Sequence, residues 1–293
     1  MKLASENLST LKVSPVARSV GAEVSGIDLS QPLSTELSAE IRQALGEYGV
    51  IFFRNQSISP AQHLAFARQF GDININKYFH AVDGFEEIAR VVRAPEDKGA
   101  TGWYWHTDHS YDRAPALGSV FVVRELPPVG GDTLFASMYT AYESLSDGLK
   151  TVLEGLEAWH SDAVCPEVQD ANLQTSFDSR LKLLDTDVAW AKHPVVIQHP
   201  ISGKKALYVN PGFTHRIDGW SMPESSMLLN FLYQQASQLP FTYRHQWKPG
   251  DIAFWDNRAT WHCAMDDTDG FSRELHRITI EGEPLASAGN LTR

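Results

Sequence analysis

The chain has 293 residues, 43% hydrophobic and 21% charged, without any run of roughly 18 apolar residues, which excludes a transmembrane helix and wholesale disorder. Its formal net charge of −11, from 25 Lys and Arg against 36 Asp and Glu, repels phosphate backbones and anionic bilayers, so neither nucleic acid nor a membrane is expected as partner. The two cysteines, Cys165 and Cys263, are too few for a disulfide scaffold and lack C-x-x-C spacing, which fits a reducing cytoplasm.

The N-terminal Met1-Lys-Leu-Ala-Ser-Glu-Asn7 has no apolar stretch long enough for a secretion signal and reads as a frayed start. Helical periodicity predicts Thr35 to Tyr48 after the cap residue Ser34, Pro60 to Phe70 after Ser59, and Pro223 to Ser237. Strands are expected at Val50–Arg54, Ile88–Ala94, Ser119–Arg124, Thr133–Ser137, Leu156–Ala163, Val195–His199, Ala206–Asn210, Phe241–Trp247, Ile252–Trp255, Ala259–Ala264 and Leu275–Ile280. That many short strands with Gly and Pro punctuation favour a mainly β barrel or jelly roll with flanking helices over a doubly wound sheet. No G-x-G-x-x-G or P-loop string supports a nucleotide fold. Residues 166–192 are polar, aperiodic and long, and read as a lid or flexible insert.

Two His-x-Asp strings occur, His106-Thr-Asp108 and His160-Ser-Asp162, and the spacing by itself is weak. In a strand or its frayed end, residues i and i+2 point to one side, so either string delivers an imidazole and a carboxylate together. A second histidine from a neighbouring strand completes a 2-His-1-carboxylate face with open coordination positions, the arrangement of non-haem Fe(II) oxygenases. The aromatic flank Trp103-Tyr-Trp105 favours the first pair. His262, just after the strand Asp251-Ile-Ala-Phe-Trp255, is the candidate third ligand. His160 reads more simply as a strand histidine packed beside Trp159.

In Arg273-Glu-Leu-His-Arg-Ile-Thr-Ile280, alternation puts Arg273, Leu275, Arg277 and Thr279 on one face. Four residues at roughly 3.3 Å each separate the arginines by about 13 Å, enough to serve two anions beside one metal. An ordinary solvated strand face is the competing reading.

Trp105-His-Thr-Asp108, Glu125-Leu-Pro-Pro-Val-Gly-Gly-Asp-Thr133, Trp255-Asp-Asn-Arg258, His262, Arg273 and Arg277 together resemble the taurine and 2,4-dichlorophenoxyacetate dioxygenase family. The resemblance runs from Gly21-Ala-Glu-Val-Ser-Gly-Ile-Asp28 to Ile280. It implies a double-stranded β-helix (jelly roll), with Fe(II) as cofactor and 2-oxoglutarate and O2 as co-substrates. By motif position it makes His106, Asp108 and His262 the iron ligands. Thr133 and Arg273 would hold the distal carboxylate of 2-oxoglutarate, and Arg277 the anionic head of the primary substrate. One domain over 1–293 is then expected, because His106 and His262 must meet. The resemblance also suggests a dimer or tetramer.

Where the taurine enzymes carry a sulfonate-binding histidine, Gly71-Asp-Ile-Asn-Ile-Asn-Lys-Tyr-Phe-His80 places Asn76, which argues against taurine. His80 reads as a core or lid histidine. Around Asn76 and Tyr78, an aromatic wall of Trp103, Tyr104, Tyr111 and Phe213, with His109 beside it, suits a bulkier body. The expected substrate is a small organic carboxylate, sulfonate or sulfate ester with an alkyl or aryl tail. Two alternatives compete: a metal-dependent jelly-roll enzyme that ignores 2-oxoglutarate, and a silent jelly-roll binding module. The intact ligand set argues against the second.

Overall fold

A computed structural model of the chain describes residues 11–97, 101–164 and 188–289. The expected frayed start, Cys165 and most of the expected insert lie outside the described residues.

In chain order the first strands and helices are β1 (Lys12–Pro15), β2 (Ala22–Ser25), α1 (Thr35–Tyr48), β3 (Val50–Phe53) and α2 (Pro60–Ala67). There follow β4 (Ile73–Asn74), β5 (Ala81–Val82), β6 (Phe85–Arg93), β7 (Gly118–Glu125), β8 (Thr133–Ser137), α3 (Met138–Glu143) and α4 (Asp147–Leu153). The rest comprises β9 (Glu157–Ser161), β10 (Trp190–Pro194), β11 (Val196–Gln198), β12 (Lys205–Leu207), β13 (Thr214–Ile217), α5 (Met222–Ala236), β14 (Thr242–His245), β15 (Ile252–Asp256), β16 (Thr260–Ala264) and β17 (Arg273–Ile280).

A nine-stranded sheet runs β1-β2-β3-β15-β7-β17-β6-β5, with β4 also on β17, and a smaller sheet runs β14-β8-β16. The two sheets face each other across Phe52, Ala253, Trp255 and Leu275 of the large one and Phe135 of the small one, the filled interior of a jelly roll. Side-chain alternation explains why β3 is apolar throughout and β15 is apolar up to its last residue, Asp256. Phe52 and Trp255 turn inward, while Ile51, Phe53, Ile252 and Phe254 turn outward under Ile41 and Leu45 of α1 and Phe66 of α2. A third cluster packs α3, α5 and the β11–β12 hairpin over the outer face of the small sheet, around Ala136 and Trp261.

Each of the eleven expected strands is present, with ends shifted by a few residues. β1, β2, β4, β5, β10 and β13 were not anticipated, and β10 corrects the expected insert: residues 190–192 pair in register with β9. The sequence reading also missed α3 and α4, which are too short for a periodicity to declare itself.

Helix α1 starts and stops where its caps require. Ser34 Oγ accepts from Leu37 N–H, and Gly49, at φ 74°, donates its N–H to Leu45 O. α2 has a reciprocal Ser59–Gln62 capping box but ends at Ala67, short of the expected Phe70, because the chain tightens into i→i+3 bonds from Gln69 and Phe70.

Beneath α2, His63 is fully buried, with Nε2 3.2 Å from Val120 O. Burial, aided by the Arg124 charge, pushes its pKa down to about 3 from 6.5. The unfolded chain therefore takes up a proton below pH 6.5 that the folded chain refuses until about pH 3. The contribution of His63 is complete above pH 6.5 and is lost progressively down to about 3, by as much as about 5 kcal/mol. Buried His160 and His193 are depressed in the same direction, chiefly by desolvation. Melting temperature should fall steeply from pH 6 to 4, and the slope should flatten in His63→Leu; equal slopes would discard the assignment.

Candidate active site

Three side chains converge at one mouth of the jelly roll: His106, Asp108 and His262, all buried, with ligand-capable atoms within 4.8 Å of one another. The first two are not on a regular strand. His106 makes an isolated bridge to His262, through His106 N–H to His262 O (3.1 Å) and His262 N–H to His106 O (2.8 Å), and turns follow. The strand β16 thus sets the position of its own histidine and of the segment carrying the other two groups.

His106 Nδ1 lies 2.8 Å from Tyr104 O, and a carbonyl only accepts, so Nδ1 carries a hydrogen and Nε2 is the ring atom that faces Asp108, at 3.7 Å. The His262 ring is wedged against Trp255 at 4.7 Å, with Nε2 3.6 Å from Asp108 Oδ2. Burial first, then the neighbouring His106, keep His262 well below its usual pKa, hence neutral and able to donate to a metal. Between the two ligand residues, Thr107 sends its hydroxyl to Asn257 O and pins the segment to the β15–β16 turn.

Arg277 Nη2 lies 2.8 Å from Asp108 Oδ2, an ion pair without hydrogen-bond alignment, and its Nε donates to Ser119 Oγ (3.2 Å). Burial alone would raise the Asp108 pKa; Arg277 and the two histidines hold it well below the usual carboxylate range. The carboxylate is therefore ionised, as a metal ligand must be.

The alternation of β17 holds: Leu275 faces the interior with Arg277, while Ile278 and Ile280 face α2. Arg273 has no hydrogen-bond or ion-pair partner among the described residues, and its Nε is buried and orphaned. Burial pushes its guanidinium down to about 10, with Arg93 adding to the push against Asp267 and Asp132. Gly131, at φ 72°, explains the Gly-Gly string, because a Cβ there would come within 3.1 Å of Arg273 Nε. Thr133 is buried, and its hydroxyl oxygen accepts from Trp247 Nε1 (3.0 Å), which leaves the hydroxyl hydrogen free.

Tyr111 and Phe213 pack edge to face at 5.0 Å, with Tyr78 and Tyr104 against them and Phe213 6.1 Å from His106. Trp103 departs from expectation: it is 44% exposed and outside this cluster. Asn76 is buried, and its Oδ1 accepts from Tyr78 N–H and Phe79 N–H, so the carboxamide shapes the loop with its oxygen and has only its NH2 to offer a ligand. His109, buried at φ 57°, is held by Asp112 (2.9 Å) beside Tyr111. His80 is exposed, not a core histidine.

The second His-x-Asp pair separates into two jobs. His160 is fully buried, and its Nδ1 meets Ser110 Oγ at 3.1 Å, supporting the segment behind Tyr111. Asp162, passed over in the sequence, accepts from Tyr78 OH (2.8 Å) and Ala189 N–H (3.0 Å) and pairs with Lys77 (3.5 Å). Lys77 in turn sits over the Tyr78 and Tyr111 rings. Ser119 was missed as well, since a serine in a buried strand carries no signal until its neighbours are known.

The profile of the family described as "Taurine catabolism dioxygenase TauD, TfdA family" matches residues 12–279. The chain is 34% identical over 290 residues to an alpha-ketoglutarate-dependent sulfate ester dioxygenase of Pseudomonas putida, covering 97% of this chain and 94% of that one. It is 33% identical over 282 residues to an alpha-ketoglutarate-dependent 2,4-dichlorophenoxyacetate dioxygenase of Cupriavidus pinatubonensis, covering 88% and 93%. Among solved structures, a taurine dioxygenase from Burkholderia xenovorans matches with TM-score 0.79 and 35% identity, over 95% of this chain and 92% of that one.

Proposed function

Because this chain belongs to the taurine catabolism dioxygenase TauD, TfdA family, and is thereby a 2-oxoglutarate-dependent non-haem iron dioxygenase, we propose that it hydroxylates a small sulfate ester, sulfonate or carboxylate with an alkyl or aryl body. The observation that carries this reading is a triad with two arginines of β17 behind it: Arg277 against Asp108, and Arg273 half-buried, its Nε buried without a hydrogen-bond partner among the described residues.

In this reading His106, Asp108 and His262 hold Fe(II), and the donor set fits: two imidazoles and one ionised carboxylate on one face. Thr133 and Arg273 take the distal carboxylate of 2-oxoglutarate, and the orphaned Arg273 Nε is the unsatisfied donor such a group would meet. When bound, the iron and its 2-oxo acid activate O2 as the co-substrate is converted to succinate and CO2. Arg277 orients the substrate's anionic head beside Asp108. Tyr78, Tyr104, Tyr111 and Phe213 exclude water from the reacting carbon and pack the tail. Asn76, through its NH2, and His109 complete the substrate pocket. Hydroxylation of a carbon that bears an ester or ether oxygen gives a product that collapses to a carbonyl compound and frees the sulfate or phenol.

We read the chain as one jelly-roll domain over 1–293 with an insert that begins near 166 and ends before β10, acting in the cytoplasm as a homo-oligomer on small molecules, not on nucleic acid or membranes. The acidic balance supports that choice of partner. No helix among the described residues is long and apolar enough to cross a membrane.

The test loads the protein anaerobically with Fe(II) and 2-oxoglutarate, adds alkyl sulfates, alkyl sulfonates, aryloxyacetates or taurine, admits O2 and measures succinate. At least one of the first three classes should raise succinate well above the substrate-free background, and taurine should not. No response to any anion would remove the substrate reading. Metal binding without 2-oxoglutarate consumption would favour a 2-oxoglutarate-independent enzyme.

A further inference from the structure

Arg273 on β17 and Arg93 on β6 are direct cross-strand partners. Like charges opposed across a sheet are destabilising, so this pairing needs a compensating reason. Arg93 is buried, with Nη1 2.8 Å from Asp266 and Nη2 2.6 Å from Asp269. Both aspartates are solvent-exposed, at 44% and 90%, and water screens what they supply. Asp267, which lies between them in sequence, is engaged with Gly131 N–H and Arg244.

Arg93, Arg273, Thr101, Met265 and Thr268, with two valines of β6, line a pocket of about 20 Å³. A void of that size has room for about one oxygen-sized group. Three buried polar atoms of its lining residues have no hydrogen-bond partner among the described residues: Arg93 Nε, Arg273 Nε and Thr268 Oγ1. A buried donor left in this way is costly unless something satisfies it. Three potential donors and two guanidinium charges at one small void describe a seat for a single anionic oxygen. A water molecule would satisfy the hydrogen bonds and leave the charge.

We propose that Arg93 and Thr268 join Arg273 in one pocket that receives an oxygen of the distal carboxylate of 2-oxoglutarate, so that two guanidiniums set the affinity for the co-substrate. This rests on the 2-oxoglutarate reading above and adds two residues to it. Arg93 is then a specificity residue for the dicarboxylate, and the exposed Asp266 and Asp269 only orient it.

The test is calorimetric binding to the full chain loaded with Mn(II), which does not turn over, with 2-oxoglutarate compared with 2-oxovalerate, a 2-oxo acid lacking the distal carboxylate. Arg93→Met should weaken 2-oxoglutarate at least tenfold, about 1.4 kcal/mol, and Thr268→Val about threefold. Neither should change 2-oxovalerate or Mn(II) binding, and Arg93→Lys should recover part of the loss. Asp266→Asn with Asp269→Asn should bind 2-oxoglutarate as well as or better than the parent, because the arginine is freed. Unchanged 2-oxoglutarate binding in Arg93→Met would overturn the proposal, as would equal weakening of both 2-oxo acids. So would a double-aspartate variant as weak as Arg93→Met, since Arg93 would then be only a loop tether. A parent protein that binds no 2-oxoglutarate would overturn the co-substrate reading itself, a distinguishable result.

Discussion

Replacing His262 with alanine should abolish substrate-dependent succinate formation and weaken Fe(II) or Mn(II) binding by more than about 100-fold, since even residues behind a metal ligand are worth 10- to 100-fold. The expected loss is large because β16 contributes twice. Its histidine side chain faces Asp108 at 3.6 Å, and its backbone bridges to His106, the residue that brings the other two groups. Alanine keeps that backbone bridge, so the experiment isolates the imidazole. His160→Ala is the control: it removes an equally buried histidine of the same His-x-Asp pattern whose Nδ1 meets Ser110 instead. It should lower the melting temperature and leave metal binding unchanged. Equal metal affinity in His262→Ala and the parent, measured by anaerobic titration, would defeat the ligand assignment.

Asp256→Ala should be the most damaging substitution away from the metal. Asp256 is fully buried. Its Oδ1 accepts from Arg258 N–H (2.9 Å) and Nε (2.8 Å), and its Oδ2 accepts from Arg258 Nη2 (2.6 Å) and His199 Nε2 (3.0 Å). Burial opposes ionisation, yet Arg258 and His199 hold the carboxyl well below its ordinary range. Truncation leaves the Arg258 charge buried and unpaired, a loss of about 3–5 kcal/mol. The next residue, Asn257, accepts the Thr107 hydroxyl through its carbonyl and the Trp255 indole N–H through its side chain. The damage should therefore reach the metal site as weaker metal binding. Denaturant titration should show the lowered midpoint, and Asp256→Ala combined with Arg258→Met should recover much of it by removing the orphaned charge. A double variant no more stable than the single one would show that the cost lies in packing.

The Trp255-Asp-Asn-Arg258 string was legible as a family motif, but nothing in its spacing said that Asp256 is the acid of a buried cluster. The hydrogen bond to His199 joins residues 57 apart, and only the fold brings them together. The same holds for Arg93. Its place in β6 could be read from alternation, whereas its position opposite Arg273 depends on the register of β6 against β17. Asp162 was visible in a pattern and assigned no role, because its partners Tyr78, Lys77 and Ala189 come from remote segments.

The amino-acid pattern carried the class of protein: a mainly β jelly roll, the α1 bounds, strands β3, β6, β7, β15 and β17 of the large sheet with all three of the small one, and a His-x-Asp…His set with two arginines downstream. These were readable because alternation, capping and metal-ligand spacing act over a few residues, where chain connectivity already fixes the geometry. Which buried polar groups find partners followed from the folded arrangement: Arg277 at Asp108, Arg273 Nε without a partner among the described residues, and Arg93 and Thr268 lining a pocket with it. Pairing across strands depends on register and on the packing of two sheets, and a shift of one residue would turn Arg93, or Arg273 and Arg277 together, to the opposite face.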